Sequence, residues 1–546
     1  MAVQIRQRLC ATAMLALAVL IGVIATAIIV LCHGHLIYSL DDPYISLALS
    51  QHIAQGHYGI NASEASSPSS SILYPFLLAG FAWTQWQEWV PAAINTLAAC
   101  ATVALIGTEL CRLGIITRRE QLFPGVVLTV ALCVAFNAVG LVFIGLEHSL
   151  HVLTSVLVVI GLARVLEEKK LPGWLIPAIV LLPLWRFEGL ALSGLAILVL
   201  AIVRQRRAAV VAALGIGATL GVYMAAMSSL GLPLLPSSVL VKSAVANHTV
   251  AGSLGLLTLG QVMVRNAVVS LETKEAWPVF LLIVLVVAHP LLRALRYPKL
   301  RGPHQLSLSQ ETLLATAIAG ALLAHVLFGA WGWFGRYEAY AVAMGAVGSM
   351  ILWRRSIAIL LSGGGIAVVA ASIVALLCVG NIYVTDTVRT PLASLGIFEQ
   401  QYQMHRFAVE FYKRPVGVND IGWVSYRNPN YVLDLWGLGS EAARRARASG
   451  SAGTGWVDRL VEAQHVGLVM IYENWFAGEI PATWQRIAIL ESVHHGVSGS
   501  GAVVSFYATS GESTRSAFVA VKAFSANTDP DTKVTVFAPL AASAAN

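Results

Sequence analysis

The sequence predicts a polytopic α-helical membrane protein with a C-terminal extracytoplasmic α/β domain. The 546 residues are 57% hydrophobic and only 12% charged, whereas soluble globular proteins carry about 25% charged residues. Their mean hydropathy is +0.73. Apolar segments recur to about residue 380, and from about residue 396 short β-rich runs alternate with helix-like runs. The first pattern predicts membrane spans and the second predicts a small α/β domain.

The first apolar segment, residues 9–31, follows Arg6 and Arg8. It is longer than the roughly 7 to 15 apolar residues of a signal peptide, so it predicts a retained first span. All six cysteines lie in or beside apolar segments, and none forms a Cys-x-x-Cys motif. This distribution predicts that the cysteines serve in packing.

The basic residues predict how the chain crosses the membrane, because short cytoplasmic loops collect Lys and Arg. The basic clusters are Arg6/Arg8, Arg112/Arg118/Arg119, Lys169/Lys170, Arg204/Arg206/Arg207, Arg293/Arg296/Lys299/Arg301 and Arg354/Arg355. With all of them inside, about eleven spans follow, with the N-terminus inside and the C-terminus outside. These spans lie near residues 12–32, 89–111, 122–144, 148–166, 172–186, 188–203, 208–230, 276–296, 311–332, 337–353 and 357–381. The net charge of +7 then faces anionic lipid and does not indicate binding to nucleic acid.

This topology divides the chain into two domains. Residues 1–395 form the transmembrane domain, in which residues 33–88 are the first extracytoplasmic loop. Within that loop, residues 71–84 are apolar but too few to span, so we expect a helix lying on the outer membrane surface. Residues 396–546 form the extracytoplasmic domain, and its tail from residue 529 is expected to be frayed or loosely attached.

Charged residues cluster at the outer ends of the predicted spans. They are Asp41, Asp42, Glu147, His148, Arg186, Glu188, Lys242 and Arg336. Ionisable groups at membrane depth tend to face a cavity or one another. Because cations are rare on the outer face, the two arginines and the lysine indicate an anionic ligand such as a phosphate. The alternatives are that the cations snorkel to lipid headgroups and that Glu188 only pairs with Arg186.

The adjacent carboxylates Asp41 and Asp42 follow the first span directly. Asp is a favoured N-cap and Pro a favoured first helical residue, so Asp42 with Pro43 predicts the start of a helix near Tyr44. If Asp42 caps this helix, Asp41 is freer to remove a proton from a hydroxyl. The second carboxylate would then orient that hydroxyl or hold a divalent ion.

Six segments resemble, in order, the GT-C superfamily of membrane glycosyltransferases. They are "DDPYISLALSQHIAQGHYGIN", "FIGLEHSLHVLTSVL", "LWRFEGLAL", "LPSSVLVKSA", "FGRYEAY" and "NDIGWVSYRNPNYVLDLWGL". The resemblance extends from about residue 36 to 440, and its last segment is similar to the subgroup that includes bacterial arabinofuranosyltransferases. The sequence departs from the family pattern at Phe187, where Pro is usual, and at Ser237 and Ser238, where Asn-Thr is usual.

The resemblance implies an inverting transfer of a sugar, arabinofuranose in that subgroup, from a polyprenyl-phosphate carrier. The acceptor would be a hydroxyl of a glycan, glycolipid or protein at the periplasmic face of the bacterial inner membrane. Asp41 would be the general base, paired with Asp42, and Arg336, Lys242 and Arg186 would bind the donor phosphate. Glu147, His148, Glu188, Tyr337 and Tyr44 would contact the substrate. Asp420 and Trp423 would contact the acceptor, unless they are only a turn residue and a core aromatic. No cofactor is implied with certainty; a divalent cation, Mg²⁺ or Mn²⁺, remains open.

Two other classes of protein fit parts of the sequence. A transporter or flippase of a lipid-linked or anionic substrate also has many spans and a charged cavity. Transporters often show inverted repeats and broken helices at the middle of the bilayer, whereas here the charges lie at span ends and the first outer loop is long. A non-catalytic scaffold would leave the outer charges unexplained. The sequence therefore favours the glycosyltransferase.

Overall fold

The computed structural model describes residues 1–242, 255–296, 307–362, 366–448, 455–494, 497 and 501–538. Most of this chain is helical, and the C-terminal part adds a six-stranded sheet. The predicted combination of apolar helices with a C-terminal α/β region is therefore present.

The helices of the N-terminal half pack as a bundle. They are α1 (Ala2–Leu31), α2 (Asp42–Ala54), α3 (Tyr74–Ala79), α4 (Val90–Arg112), α5 (Leu122–Ala135), α6 (Ala138–Ile144), α7 (His148–Glu168), α8 (Leu175–Trp185), α9 (Gly189–Ile202), α10 (Arg206–Ser229) and α11 (Ser237–Lys242). The next helices are α12 (Leu256–Glu272), α13 (Trp277–Arg296), α14 (Leu308–Phe328), α15 (Ala339–Leu352), α16 (Arg354–Ser362) and α17 (Ile366–Ile397). The C-terminal region adds α18 (Gln403–Arg406), α19 (Gly422–Ser425), α20 (Glu441–Ala448), α21 (Trp456–Ala463) and α22 (Gly511–Ser525).

Six helices of the described chain are long and apolar enough to cross a membrane, and the number rises to eight if each bent pair is one span. These helices are compatible with a multi-pass membrane protein, but their number is below the eleven spans predicted. The prediction counted α8 and α9, which have only 11 and 14 residues. It also counted α15, a 14-residue helix that bends by 75° from the helix that follows it. The predicted span 357–381 includes residues outside the described ranges.

Ion pairs join the helices at the end of the bundle where the basic clusters gather. The Arg112 guanidinium lies 2.7 Å from the carboxylate of Glu167 on α7, and Arg354 at the start of α16 pairs with the same carboxylate. Glu109 on α4 is fully buried between Arg112 and Arg164. Buried charges require such partners, so this network fixes α4, α7 and α16 relative to one another.

The segment predicted to lie on the membrane surface forms a shorter helix than expected. Only α3 is helical, and turns follow from Gly80. Phe76, Phe81 and Trp83 are exposed, whereas Tyr74 is buried against the bundle. Exposed aromatic side chains suit the headgroup region of a bilayer.

The C-terminal sheet has the strand order β2-β1-β3-β5-β4-β6. Its strands are β1 (Val416–Val418), β2 (Val432–Asp434), β3 (Leu468–Ile471), β4 (Gln485–Ser492), β5 (Val503–Ala508) and β6 (Thr532–Val536). β1 is parallel to β2 and β3, and the remaining pairs are antiparallel. The expectation of a loose tail from residue 529 is wrong for β6, which pairs with β4; the tail after residue 538 lies outside the described residues.

A continuous helical run connects the bundle to the sheet. α17 passes without a break into the π-helical segment Phe398–Tyr402, then α18, then the second π-helical segment Phe407–Tyr412. The predicted domain boundary at 395/396 falls inside this run. Phe407 and Tyr412 already belong to the core under the sheet, so the two regions share a helix at the predicted boundary.

Candidate functional site

A small polar cavity lies where α2 begins. Its volume is about 30 Å³, which is room for one or two water molecules. The lining comprises Asp42, Ile45, Ser46, Pro68, Ser69, Ser70, Leu146, Glu147, Arg186, Arg336, Tyr337 and Leu438. The structure thus brings together residues from five of the six resemblance segments, including Asp42 and two of the three predicted cations.

Asp42 and Arg336 form an ion pair on the wall of this cavity. The Arg336 side chain is 4% exposed and the Asp42 side chain 27% exposed, so the carboxylate is the more accessible partner. Arg336 Nη2 also donates a 3.0 Å hydrogen bond to the Tyr337 hydroxyl. Its Nε has no hydrogen-bond partner in the described chain, and a buried guanidinium N–H without an acceptor is costly. Arg336 therefore retains a donor that a ligand could satisfy.

Arg186 joins the two predicted glutamates. Its Nη1 lies 2.9 Å from a Glu147 oxygen, and its Nη2 lies 2.8 Å from a Glu188 oxygen. The Tyr337 ring lies 5.4 Å from the Arg186 guanidinium and 4.9 Å from that of Arg336. This arrangement is a cation–π bridge between the two arginines. Glu188 thus pairs with Arg186, as the alternative interpretation of this residue has it, and it does not line the cavity; its predicted contact with the substrate stays a prediction.

His148 also approaches this network. It is almost fully buried, and its ring meets the Tyr337 ring edge-on with centroids 6.4 Å apart. His148 thus packs behind Tyr337 and is not one of the cavity-lining residues.

The backbone before Arg336 is unusual. Residues 332–335 all have positive φ angles, including 52° at Trp333 and 63° at Phe334, a conformation that costs non-glycine residues energy. Two buried side chains hold this loop in place. Asn137 Nδ2 donates a 2.6 Å hydrogen bond to the Phe334 carbonyl, and Glu338 accepts a 3.0 Å bond from the Gly332 N–H. Sequence reasoning missed Asn137, which has no neighbouring polar motif to mark it.

The loop of residues 67–72 closes the cavity from the other side. Two backbone N–H groups, those of Ile72 and Leu73, donate hydrogen bonds to the carbonyl of Leu184. Leu184 lies two residues before Arg186. Ser237 N–H donates to the Ser67 carbonyl at 3.0 Å. The predicted Lys242 loop therefore begins against the cavity wall, although the Lys242 side chain lies outside the described residues.

The structure reverses the predicted division between the two aspartates. α2 begins at Asp42, with Asp41 at the preceding cap position, and Asp42 lines the cavity whereas Asp41 does not. The Asp41 carboxylate accepts hydrogen bonds from the backbone N–H groups of Gly422 at 2.7 Å and Trp423 at 2.8 Å. The prediction that Asp42 caps the helix and leaves Asp41 free is therefore wrong, because Asp41 is held by the C-terminal domain.

Asp420 and Trp423, the predicted acceptor residues, lie beside Asp41 and not in the small cavity. Burial, together with the charge of Asp420, raises the pKa of Asp41 well above its usual range. Burial and the Asp42 carboxylate raise the pKa of Asp420 to about 6. The Trp423 ring stacks on Tyr44 with centroids 3.9 Å apart. Tyr44 is fully buried and thus links Trp423 to α2, two residues after Asp42.

The charged side chains at the cavity form ion pairs. Asp42 pairs with Arg336 and Glu147 with Arg186, so each carboxylate already faces a guanidinium. No group of three or more His, Cys, Asp or Glu side chains with metal-site spacing occurs in the part of the chain that was described.

Comparison with known proteins adds one similarity. A family profile described as "Domain of unknown function (DUF8728)" matches residues 393–507. This region runs from the end of α17 through most of the sheet and includes Asp420 and Trp423, but it contains neither aspartate of the pair and neither cavity arginine. No curated protein matches the chain.

Proposed function

We propose that this protein is an inverting glycosyltransferase that moves a sugar from a polyprenyl-phosphate carrier to an acceptor hydroxyl. The observation that carries the proposal is the single cavity at which Asp42, Arg336 and the pair of Arg186 with Glu147 meet. A carboxylate and two guanidinium groups at one site match the reaction, which needs a base for a hydroxyl and cations for a departing phosphate.

In the proposed reaction, Asp42 accepts the proton of the acceptor hydroxyl as its oxygen attacks the anomeric carbon. The carbon–oxygen bond to the carrier breaks on the opposite face, and its electron pair stays on the phosphate oxygen. Arg336 and Arg186 stabilise that growing charge, and Glu147 supports the oxocarbenium-like sugar. General base catalysis by Asp42 contributes about 10²–10⁴ in rate. We assign this role to Asp42 in place of Asp41, because Asp41 is bonded to two backbone N–H groups.

Substrate binding requires the cavity to rearrange, since 30 Å³ cannot hold a sugar phosphate. The ion pair between Asp42 and Arg336 is the natural point of change. A donor phosphate would compete for the Arg336 guanidinium, which forms bidentate pairs with phosphate. Its arrival would release the Asp42 carboxylate to act as base, so the base is freed only when the donor is present.

Charge balance assigns a role to Lys242. When ionised, the carboxylates of Asp42, Glu147 and Glu188 outnumber the guanidinium groups of Arg186 and Arg336 by one. An additional cation is needed to bind an anionic phosphate in such a site. Lys242 follows the serines that contact the cavity loop, and we propose that it supplies that charge.

The same proposal includes the setting of the reaction. The helices compatible with membrane spans would cross a bacterial inner membrane, with the cavity and the C-terminal domain on the periplasmic side. The carrier lipid would enter beside the exposed aromatic side chains of Phe76, Phe81 and Trp83. The acceptor would be a glycan, glycolipid or protein at the cell surface, and arabinofuranose is the sugar suggested by the subgroup resemblance.

The test uses a strain that lacks the native copy and carries Asp42→Asn, Asp41→Asn or the control Glu512→Gln, an exposed carboxylate on α22. We expect Asp42→Asn to abolish a cell-surface glycan modification while lipid-linked sugar accumulates on the outer leaflet and protein levels stay normal. Glycan composition and the carrier-lipid pool in each leaflet are measured.

An unchanged glycan in the Asp42→Asn strain, at normal protein level, would overturn the assignment. Lipid-linked sugar that accumulates on the cytoplasmic leaflet would indicate a flippase instead. The Glu512→Gln strain should match the wild type in every measurement.

A further inference from the structure

A second, larger cavity lies between the residues that follow α1 and the C-terminal domain. Its volume is about 240 Å³, eight times that of the cavity at Asp42. Its principal side chains are Glu88, Tyr402, His405, Trp423, Tyr426 and Arg427. None of these residues lines the first cavity, so the two are separate spaces. We call the larger one the side cavity.

The wall of the side cavity combines aromatic rings with paired polar groups. Tyr402, Trp423 and Tyr426 contribute the rings. Glu88 and Arg427 form an ion pair 3.2 Å long, so their charges cancel within the wall. This combination favours a neutral ligand, because the paired charges leave no net charge to attract an ion.

The side cavity also contains unused hydrogen-bonding capacity. Trp423 is 4% exposed, and its indole Nε1 has no hydrogen-bond partner within the described ranges. Burial lowers the pKa of His405 to about 4, so its ring is neutral at pH 7 and both donates and accepts hydrogen bonds. A buried N–H without an acceptor is costly, and a ligand hydroxyl that reached the indole would remove that cost.

We propose that the side cavity binds a neutral sugar residue of the acceptor, away from the residue that reacts. A pyranose or furanose ring offers C–H faces to aromatic rings and hydroxyls to the indole, imidazole, carboxylate and guanidinium groups. Small-ligand sites commonly pair an apolar lining with a few directional polar groups in this way. That this sugar belongs to the acceptor rests on the proposed function, whereas the binding of a sugar at the side cavity does not.

One residue connects the side cavity to the reaction site. The Trp423 backbone N–H donates to Asp41, while its ring stacks on Tyr44 with an interplanar angle of 29°. Tyr44 lies two residues after Asp42 on α2. A sugar seated against Trp423 therefore contacts the residue that packs on the helix carrying the proposed base, which suits a subsite that orients an extended acceptor.

The experiment measures binding without turnover. The full chain is reconstituted in lipid nanodiscs and mixed at millimolar concentration with methyl β-glucopyranoside, methyl α-mannopyranoside or methyl α-arabinofuranoside. Saturation-transfer NMR then detects contact between protein and sugar. We expect at least one glycoside to receive saturation from the wild type, and Trp423→Phe and Arg427→Gln to lower that signal fivefold or more.

Trp456→Phe is the matched control. Trp456 is equally buried and its Nε1 also has no partner in the described chain, but it lies in a different core cluster. Loss of signal in the control equal to that in Trp423→Phe would overturn the proposal, as would the absence of saturation for all three glycosides. Thermal unfolding of each variant confirms that it is folded. The two proposals can fail separately. If the wild type binds a glycoside but the Asp42→Asn variant still transfers sugar, the proposed function is contradicted and the sugar site stands.

Discussion

Asp41 Oδ1 accepts a 2.8 Å hydrogen bond from the backbone N–H of Trp423, a residue 382 positions further along the chain. The other carboxylate oxygen accepts from Gly422. These two bonds attach the start of the first loop to the C-terminal domain. Asp41 is thus one of the residues that join the loop after α1 to the C-terminal domain, together with Asn61, which exchanges hydrogen bonds with Val432.

Asp41→Ala should loosen this attachment. It leaves two buried N–H groups without an acceptor, at a cost of about 1–3 kcal/mol for each. Asp41→Asn, which retains one acceptor oxygen, should cost less. Hydrogen exchange of the Gly422 and Trp423 amides is the measurement, and we expect at least about tenfold faster exchange in Asp41→Ala. Exchange at the wild-type rate in that variant would show that these bonds add nothing to the attachment.

Gly422→Ala should destabilise the same contact by crowding. A Cβ atom there would lie 2.1 Å from the Asp41 carbonyl oxygen and 2.5 Å from its Cγ, so the backbone must shift, which typically costs about 1–3 kcal/mol. The control is Gly511→Ala, where a Cβ meets nothing within 4 Å. Thermal unfolding in detergent compares the two. Equal midpoints would mean that the domain moves away from Asp41 without cost.

Asp420→Asn should change the pH dependence of stability. Burial and the Asp42 charge raise the pKa of Asp420 to about 6, above the unfolded value of about 3.9. Between these values the folded state binds more protons, so the free energy of unfolding falls as pH rises from about 4 to 6. Asp420→Asn stays neutral and should flatten this slope. The remaining slope includes the shares of Asp434, whose pKa burial also raises to about 6, and of Asp41, whose pKa burial raises well above its usual range.

Unfolding midpoints at pH 4, 5, 6 and 7 measure the slope for the wild type and for Asp420→Asn. Glu512→Gln is the control, because this exposed carboxylate lies on α22. A slope in Asp420→Asn as steep as that of the wild type would contradict the assignment.

Asn137→Ala should reduce sugar transfer without removing any group from the cavity. It removes the 2.6 Å bond to the Phe334 carbonyl, and the strained loop that carries Arg336 would relax. Small displacements of a catalytic group can cost up to about 10²-fold in rate. Transfer is measured in membranes with increasing lipid-linked donor, and we expect a larger effect on kcat than on KM.

Thr387→Val supplies the comparison for this variant. Thr387 Oγ1 donates a 2.9 Å hydrogen bond to Asn137 Oδ1 and so helps to hold that side chain. Thr387→Val should therefore lower kcat in the same way but by less. Full activity in Asn137→Ala would mean that the loop needs no help from Asn137.

The sequence predicted the components of the site better than their arrangement. Glu147, Arg186 and Arg336 were selected because charges are rare at the outer ends of spans, and the structure brings all three to one cavity. That argument works from local hydropathy. The predicted roles of Asp41 and Asp42 were wrong because the position of Asp41 depends on its hydrogen bond from Gly422. No local sequence pattern indicates a contact across 381 positions.

The predicted number of spans was too high for a related physical reason. A hydropathy argument assigns about 20 residues to each span, but α8 and α9 are shorter and pack on their neighbours. Asn137 was missed because its role lies in a hydrogen bond to a backbone carbonyl of the distant Phe334. Contacts of this kind become visible only when the tertiary structure is known.

The helical run from α17 through Tyr412 acts as a rod with one end in the bundle and the other under the sheet. The run is helical from Ile366 to Tyr412, so its length sets the spacing between the bundle and the sheet. Inserting two alanines into this rod would raise the sheet by about 3 Å and rotate it by about 200°, which would separate Gly422 from Asp41.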